Sequence, residues 1–265
     1  MKSNDIEFSV GMIHHFACTG GTLISKCIAA LPNTYVLSEL HPHTCLHINE
    51  DKPKFSPTDI TTLARYSEIP FVEDLSKQLF LENIKITARH VALYGGNLVV
   101  RDHSHSDYCV GVASDTTSIS TVYRYLKSCF NINRLVSVRN PIDSFLSLKK
   151  NGWVHFEPRA FEEYCRRYLI FIDQFDDSEI IYYEDFVDNP KQVMNVISIK
   201  LSIEFDERFI NCYNTVKMSG DSGRKTKNIE ARVRREMEPE FLKEIEESKS
   251  FELLKKKLVK YSHGL

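Results

Sequence analysis

The sequence has no C-x-x-C pair, and its seven cysteines, at 18, 27, 45, 109, 129, 165 and 212, are odd in number and widely spread. That pattern excludes a disulfide framework and a zinc ribbon, and it points to reduced thiols in a cytoplasmic setting. No apolar run reaches the roughly eighteen residues of a membrane helix, so no membrane span is expected. The opening MKSNDIEFSVGMIHHF has neither the apolar core nor the cleavage site of a secretory leader. An excess of one charge is missing too, since 34 Lys and Arg face 36 Asp and Glu for a net charge of -2. Coating of nucleic acid through bulk charge is thereby excluded, although a local basic patch is not. The chain shows no internal repeat and no low-complexity stretch, and nothing in it selects an oligomeric state.

With 265 residues, 42% of them hydrophobic and 26% charged, the composition is that of a globular chain able to bury a core, here read as one domain over 1–265. Short apolar runs at Met12–Ala17, Tyr35–Ser38, Leu98–Arg101, Arg134–Val138 and Ile180–Tyr183 read as central strands covered on both faces. Helical patterns lie between them, at Thr22–Ala30, Phe71–Tyr94, Ser118–Ser128, Pro141–Lys150, Pro158–Phe175 and Pro190–Ile199. Three of these open on proline, whose missing N–H costs nothing in the first turn. Strand–helix–strand alternation with long connections implies a mainly parallel sheet in a three-layer α/β fold. The stretch 42–97 is long for one crossover and is expected to carry extra helices over one end of the sheet. Ligands of such sheets bind at the carboxyl ends of strands, so residues just after each strand are where chemistry is sought.

After the first strand the chain runs Ala17-Cys18-Thr19-Gly20-Gly21-Thr22-Leu23-Ile24-Ser25-Lys26. Small and hydroxyl-bearing residues between strand and helix can wrap a phosphate, because helix N-terminal N–H groups face the anion and glycine admits close approach. The same turn also serves plain strand–helix geometry. It is not a Walker A loop, since Lys26 follows Ser25 a turn too deep, and nucleotide hydrolysis by that lysine is disfavoured. After the fourth strand comes Arg139-Asn140-Pro141-Ile142-Asp143, with Ser147 eight residues past the arginine. There Asn140 suits an N-cap and Pro141 the first helical position. Arg139 can clamp a phosphate bidentately with help from Ser147, or it can simply pair with Asp143.

Together these two turns resemble the PAPS-dependent sulfotransferase family. Thr19, Gly20, Gly21, Thr22 and Leu23 fall on its 5′-phosphosulfate loop, and Arg139 with Ser147 on its 3′-phosphate site. Cys18 stands where most members have Lys or Arg. Ile181-Tyr182-Tyr183-Glu184-Asp185-Phe186, followed by Asp188-Asn189-Pro190, resembles a further element of the family, in which Tyr183 lies near the adenosine; it reads equally well as a core tyrosine. Ser219 to Lys225 resembles the final nucleotide loop, with Ser222, Gly223 and Arg224 on it. That loop opens a basic segment, 217–235, whose stretch from Arg224 to Arg235 holds six Lys or Arg against Glu230. The resemblance spans about residues 12–245. It implies a P-loop-like α/β fold, PAPS as sulfuryl donor with PAP released, no metal requirement, and an acceptor that is a small molecule or carbohydrate, its pocket shaped by 42–97 and 151–177.

The chemistry needs a base for the acceptor proton and positive charge at the leaving phosphate. Glu39, seven residues past Pro32, matches the catalytic glutamate of tyrosylprotein- and carbohydrate-type relatives, and His103 matches the histidine of the small-molecule branch. Glu39 is preferred, with His103 sharing the proton or orienting the acceptor. Arg101 is the candidate for the charge that Cys18 does not supply, and it can also pair with Asp102 or Glu39. Two alternatives are carried: a nucleotide-binding module without catalysis, favoured by Cys18, and a zinc hydrolase built on His103, His105 and Asp107. His14-His15 and His41-Pro42-His43 are read as strand-edge packing and turn polarity.

Overall fold

In the computed structural model, residues 8–49, 51, 58–112, 116–219, 228–231 and 233–261 are described. The first half contains β1 (Ser9–His15), α1 (Gly21–Ala29), β2 (Thr34–Leu40), α2 (Ile60–Tyr66), α3 (Val72–Leu93), β3 (Asn97–Asp102), α4 (Ser104–Tyr108), β4 (Val110–Gly111) and α5 (Thr121–Leu126). There follow β5 (Asn131–Val138), α6 (Pro141–Lys150), β6 (His155–Phe156), α7 (Phe161–Ile172), β7 (Ile180–Tyr182) and α8 (Tyr183–Asp188). The chain closes with α9 (Pro190–Leu201), α10 (Phe209–Cys212), α11 (Pro239–Glu247) and α12 (Lys249–Lys257).

Five strands form a parallel sheet in the order β2-β3-β1-β5-β7. The three-layer α/β expectation is met. Alternation along the strands sends two sets of apolar side chains to opposite faces. Ile13, Val99 and Leu135 pack with Leu23 and Ile28 of α1 and Met194 and Ile197 of α9. Val10, Met12, Leu98 and Val100 pack with Ile84 and Ala88 of α3 and Val122 and Leu126 of α5. A third cluster joins Val136 and Val138 to Phe145 of α6, Tyr164 and Phe171 of α7, and Leu254 of α12.

β1 lies between β3 and β5, and the chain leaves it toward β2 on one side and later builds β5 and β7 on the other. The carboxyl end of β1 is therefore the point where the winding reverses, which is where open parallel sheets hold ligands. The long stretch after β2 carries α2 and α3, as its length requires. The short parallel pair β4–β6 and the helices α11 and α12 complete the chain beyond the elements expected from the sequence.

Candidate active site

The turn from β1 into α1 is held from below. Thr19 is fully buried, and its hydroxyl donates to the carbonyls of Phe16 (2.8 Å) and Ser137 (3.1 Å), tying the loop to β5. The Thr19 N–H is committed as well, donating to the Phe16 carbonyl at 3.2 Å, so this residue braces the turn. Gly20 has φ of 88°, the left-handed region, and a Cβ there would lie 2.1 Å from the Tyr183 ring. A Cβ on Gly21 would lie 2.3 Å from Cγ of His15. Both glycines are thus demanded by close approach, at Gly20 with backbone conformation in addition. A Gly20→Ala variant is expected to lose about 1–3 kcal/mol through overpacking. A urea melt reads this, and a variant as stable as the parent would overturn the tight packing.

Thr19, Gly20, Gly21, Thr22 and Leu23 line one cavity of about 490 Å³. Arg139, Ser147 and Tyr183 line the same cavity, as do Glu39, Arg101 and His103. All the expected residues among those described are therefore brought together, although they come from five strand ends. Ser222, Gly223 and Arg224 lie outside the described residues.

Arg139 follows β5 directly, and the N-cap and proline predicted for the next helix are both in place, with the Asn140 side chain accepting from the Ile142 N–H at 3.0 Å. The alternative pairing of Arg139 with Asp143 is not what the structure holds. Asp143 instead accepts from Arg234 at 3.1 Å, which anchors the basic segment to α6. The Arg139 guanidinium lies 5.1 Å over the Tyr183 ring and donates to the Cys18 carbonyl at 3.4 Å. Tyr183 is not the end of a strand but the first residue of α8, buried against the glycine turn as a core tyrosine while also lining the cavity. The Cys18 thiol is pushed up to about 11 by burial, so it carries no charge near neutrality.

At the other end of the cavity a compact ionic cluster forms. Arg101, 2% exposed, holds Oε1 of Glu39 at 2.5 Å, donates to the Thr22 hydroxyl at 3.0 Å, and reaches Nε2 of His15 at 2.9 Å. Its pairing with Glu39 and its contact with the glycine turn hold at the same time. Nε2 of His103 lies 3.5 Å from Oε2 of Glu39. Glu39 is aimed by an irregularity: the β2–β3 register shifts between Leu37 and Leu40, and Glu39 itself sits at φ of 59°. Bulges of this kind re-aim side chains beside active sites, and a left-handed glutamate is a strained conformation that the surrounding contacts must hold. Burial raises the Glu39 pKa, Arg101 opposes this, and the nearby Asp102 carboxylate adds to it. Burial, then the neighbouring His41, lowers His103 to about 4, so it is neutral at pH 7.

His15 is a site residue that the sequence reading assigned to strand packing. Burial and the adjacent Arg101 hold its pKa well below the ordinary value, which makes its Nε2 an acceptor for that arginine. Its neighbour His14 faces the other side of the sheet and bonds Asp102 at 2.9 Å, with both side chains fully buried. Period-two alternation was the signal that separates the two histidines. Asn151 and Trp153, just beyond α6, also line the cavity; they open the stretch 151–177 expected to help shape the acceptor pocket. The zinc constellation does not assemble. His105 bonds His155 at 3.0 Å, whereas Asp107 turns to His41 (3.0 Å) and to Thr121 (2.7 Å). Among the described residues no group of three ligating side chains could hold a metal ion.

No family model matches the chain, and no curated protein matches it. Solved structures do. The sulfotransferase domain from the curacin biosynthetic pathway superposes with a TM-score of 0.58 at 15% identity, covering 98% of this chain and 100% of that one. The sulfotransferase domain from the Synechococcus PCC 7002 olefin synthase gives 0.55 at 16% identity, covering 97% and 95%. The fold is that of sulfotransferase domains. In this P-loop-like architecture the glycine turn after β1 and Arg139 after β5 flank the point where the sheet reverses, with the Glu39 cluster beside them.

Proposed function

We propose that the chain is a PAPS-dependent sulfotransferase acting in the cytoplasm on an acceptor hydroxyl or amine. The observation that carries this reading is the single cavity in which Thr19–Leu23, Arg139 and Ser147 meet Glu39, Arg101 and His103. The residues fit the donor: the glycine turn opens on the cavity, and Arg101 and Arg139 line it with cations. Bound there, PAPS supplies an activated sulfuryl group on a phosphate leaving group. The turn 19–23 holds the 5′ side. Arg139 and Ser147 hold the 3′-phosphate, with Tyr183 against the adenosine. Arg101, touching both Thr22 and Glu39, supplies the positive charge that Cys18 does not. Glu39 takes the acceptor proton, and neutral His103 orients the acceptor.

Cys18 also favours a second reading, a module that binds the nucleotide and does not turn over. Product formation with any acceptor eliminates it.

The test of the donor site is a thermal shift with PAP on the wild type and on Arg139→Ala. At a hundredfold excess over Kd, binding is expected to add about 2.7 kcal/mol of stability to the wild type. In Arg139→Ala that gain is expected to vanish at the same PAP concentration. No shift in the wild type, or an equal one in the variant, would sink the assignment.

A further inference from the structure

A second cavity, of about 610 Å³, meets the first at Glu39, His103 and Leu46. Its walls come from the end of β2, the stretch after it, α2 and α3, and so mostly from the 42–97 region expected to shape the acceptor pocket. Leu37, Leu40, Leu46, Ile48, Phe80 and Ile84 make the apolar part of the wall.

Most of the polar lining is already engaged within the protein. Asp59 accepts from the Thr62 backbone at 3.0 Å and from its hydroxyl at 2.6 Å as the N-cap of α2. The Ser76 hydroxyl donates to the Val72 carbonyl at 2.7 Å, and the Thr87 hydroxyl donates to the Asn83 carbonyl at 2.8 Å. His41 is held by Asp107 at 3.0 Å. Side chains committed in this way keep acceptor lone pairs for a ligand but no donor. Arg65 differs. Its Nη1 donates to Glu73 at 2.7 Å, while its Nη2 is buried with no hydrogen-bond partner among the described residues. A buried guanidinium N–H left unmade costs free energy, which an oxygen acceptor on a ligand would offset.

From this, and resting on the donor reading above, we infer that the acceptor is an amphipathic alcohol: an apolar body, a hydroxyl at Glu39, and a carboxylate or carbonyl oxygen received by Arg65. A saccharide presents hydroxyls on every side, and those facing Leu37, Leu40, Leu46, Ile48, Phe80 and Ile84 would be buried without partners. In the transfer, the acceptor oxygen forms the new S–O bond as its proton passes to Glu39. The S–O bond to the 5′-phosphate breaks, and the electron pair leaves on PAP.

The test uses the full chain with PAPS and five acceptors: ω-hydroxyoctanoate, ω-hydroxyoctanamide, n-octanol, lactose and a tyrosyl dipeptide. Product mass and PAP release are read, and PAP binding is measured on the same preparation. The hydroxy acid or its amide is expected to exceed n-octanol in kcat/KM by about tenfold or more. Preference for the acid assigns a carboxylate, and equality assigns a carbonyl. Arg65→Leu is expected to erase that advantage through KM, with n-octanol turnover and PAP binding unchanged. Preferred sulfation of lactose or the peptide overturns the inference. So does an Arg65→Leu loss equal for acid and n-octanol, or no product from any of the three alcohols despite normal PAP binding. Absence of PAP binding brings down the donor reading, and this inference with it.

Discussion

Glu39→Gln is expected to lower kcat by about 10²–10⁴-fold while leaving PAP affinity near that of the parent. The amide keeps the shape and an oxygen for Arg101, and it loses the negative charge and with it the capacity to take a proton. Burial raises the Glu39 pKa above its ordinary 4.5, with Arg101 opposing and Asp102 adding, which gives a stronger base than an exposed glutamate. The sign follows directly: activity needs the carboxylate, so kcat/KM falls as pH drops through this raised value. His103 lies near 4 and is already neutral above that, so no limb near 6.5 is expected from it. A pH profile of the wild type should show one acid limb above 4.5, and Glu39→Gln should abolish it. His103→Ala, which removes a neighbour 3.5 Å from the carboxylate, is expected to cost less. Near-normal turnover in Glu39→Gln with PAP still bound, together with a dead His103→Ala, would transfer the base to His103.

How far the sequence carried this picture depends on how locally each feature is encoded. Helix α6 was legible to the residue because Asn140 and Pro141 mark its start and the apolar stripe runs on to Lys150. The glycine turn and the Arg139–Ser147 spacing were legible for the same reason, as each is a contiguous motif. β1 and β5 begin about three residues before the apolar runs that announced them, at Ser9 and Asn131, where pairing between central strands overrides polarity. The expected helix from Pro158 starts only at Phe161 because Ala160 is extended. β4 and β6 have two residues each, too few for any periodicity to register. Contacts across the sheet were the least legible. Arg101 meets His15 from 86 positions away, and Arg234 meets Asp143 from 91.

Arg167→Met is expected to be the most destabilising single change, at about 3–5 kcal/mol. Arg167 is fully buried on α7, and its Nε holds Glu163 at 2.6 Å. Its Nη1 donates to the carbonyls of Tyr108 (3.0 Å) and Val110 (2.8 Å), and its Nη2 to that of Gly111 (3.0 Å). The guanidinium also lies 5.0 Å over the Phe156 ring, so one side chain fastens both strands of the β4–β6 pair to α7. Met fills much of the volume and satisfies none of the three carbonyls; that of Gly111 keeps the Glu157 N–H at 3.1 Å, so those of Tyr108 and Val110 carry the cost, about 1–3 kcal/mol each if left unpaired and buried. Glu163 keeps Arg166 at 2.6 Å, so the orphaned carbonyls rather than a stranded carboxylate should dominate. The double variant Glu163→Gln/Arg167→Met should then be about as unstable as Arg167→Met alone. Recovery of most of the stability in the double variant would show the carboxylate to be the cause. In a thermal melt the single change should lower Tm by roughly 6–20 °C. A fall of less than about 1 kcal/mol in a urea melt would refute the anchoring role. The effect should reach the cavity as well, because β6 carries His155 and follows Trp153, both of which line it. PAP affinity measured where Arg167→Met is still folded should therefore be weaker than in the parent, although Arg167 itself touches no part of the donor site.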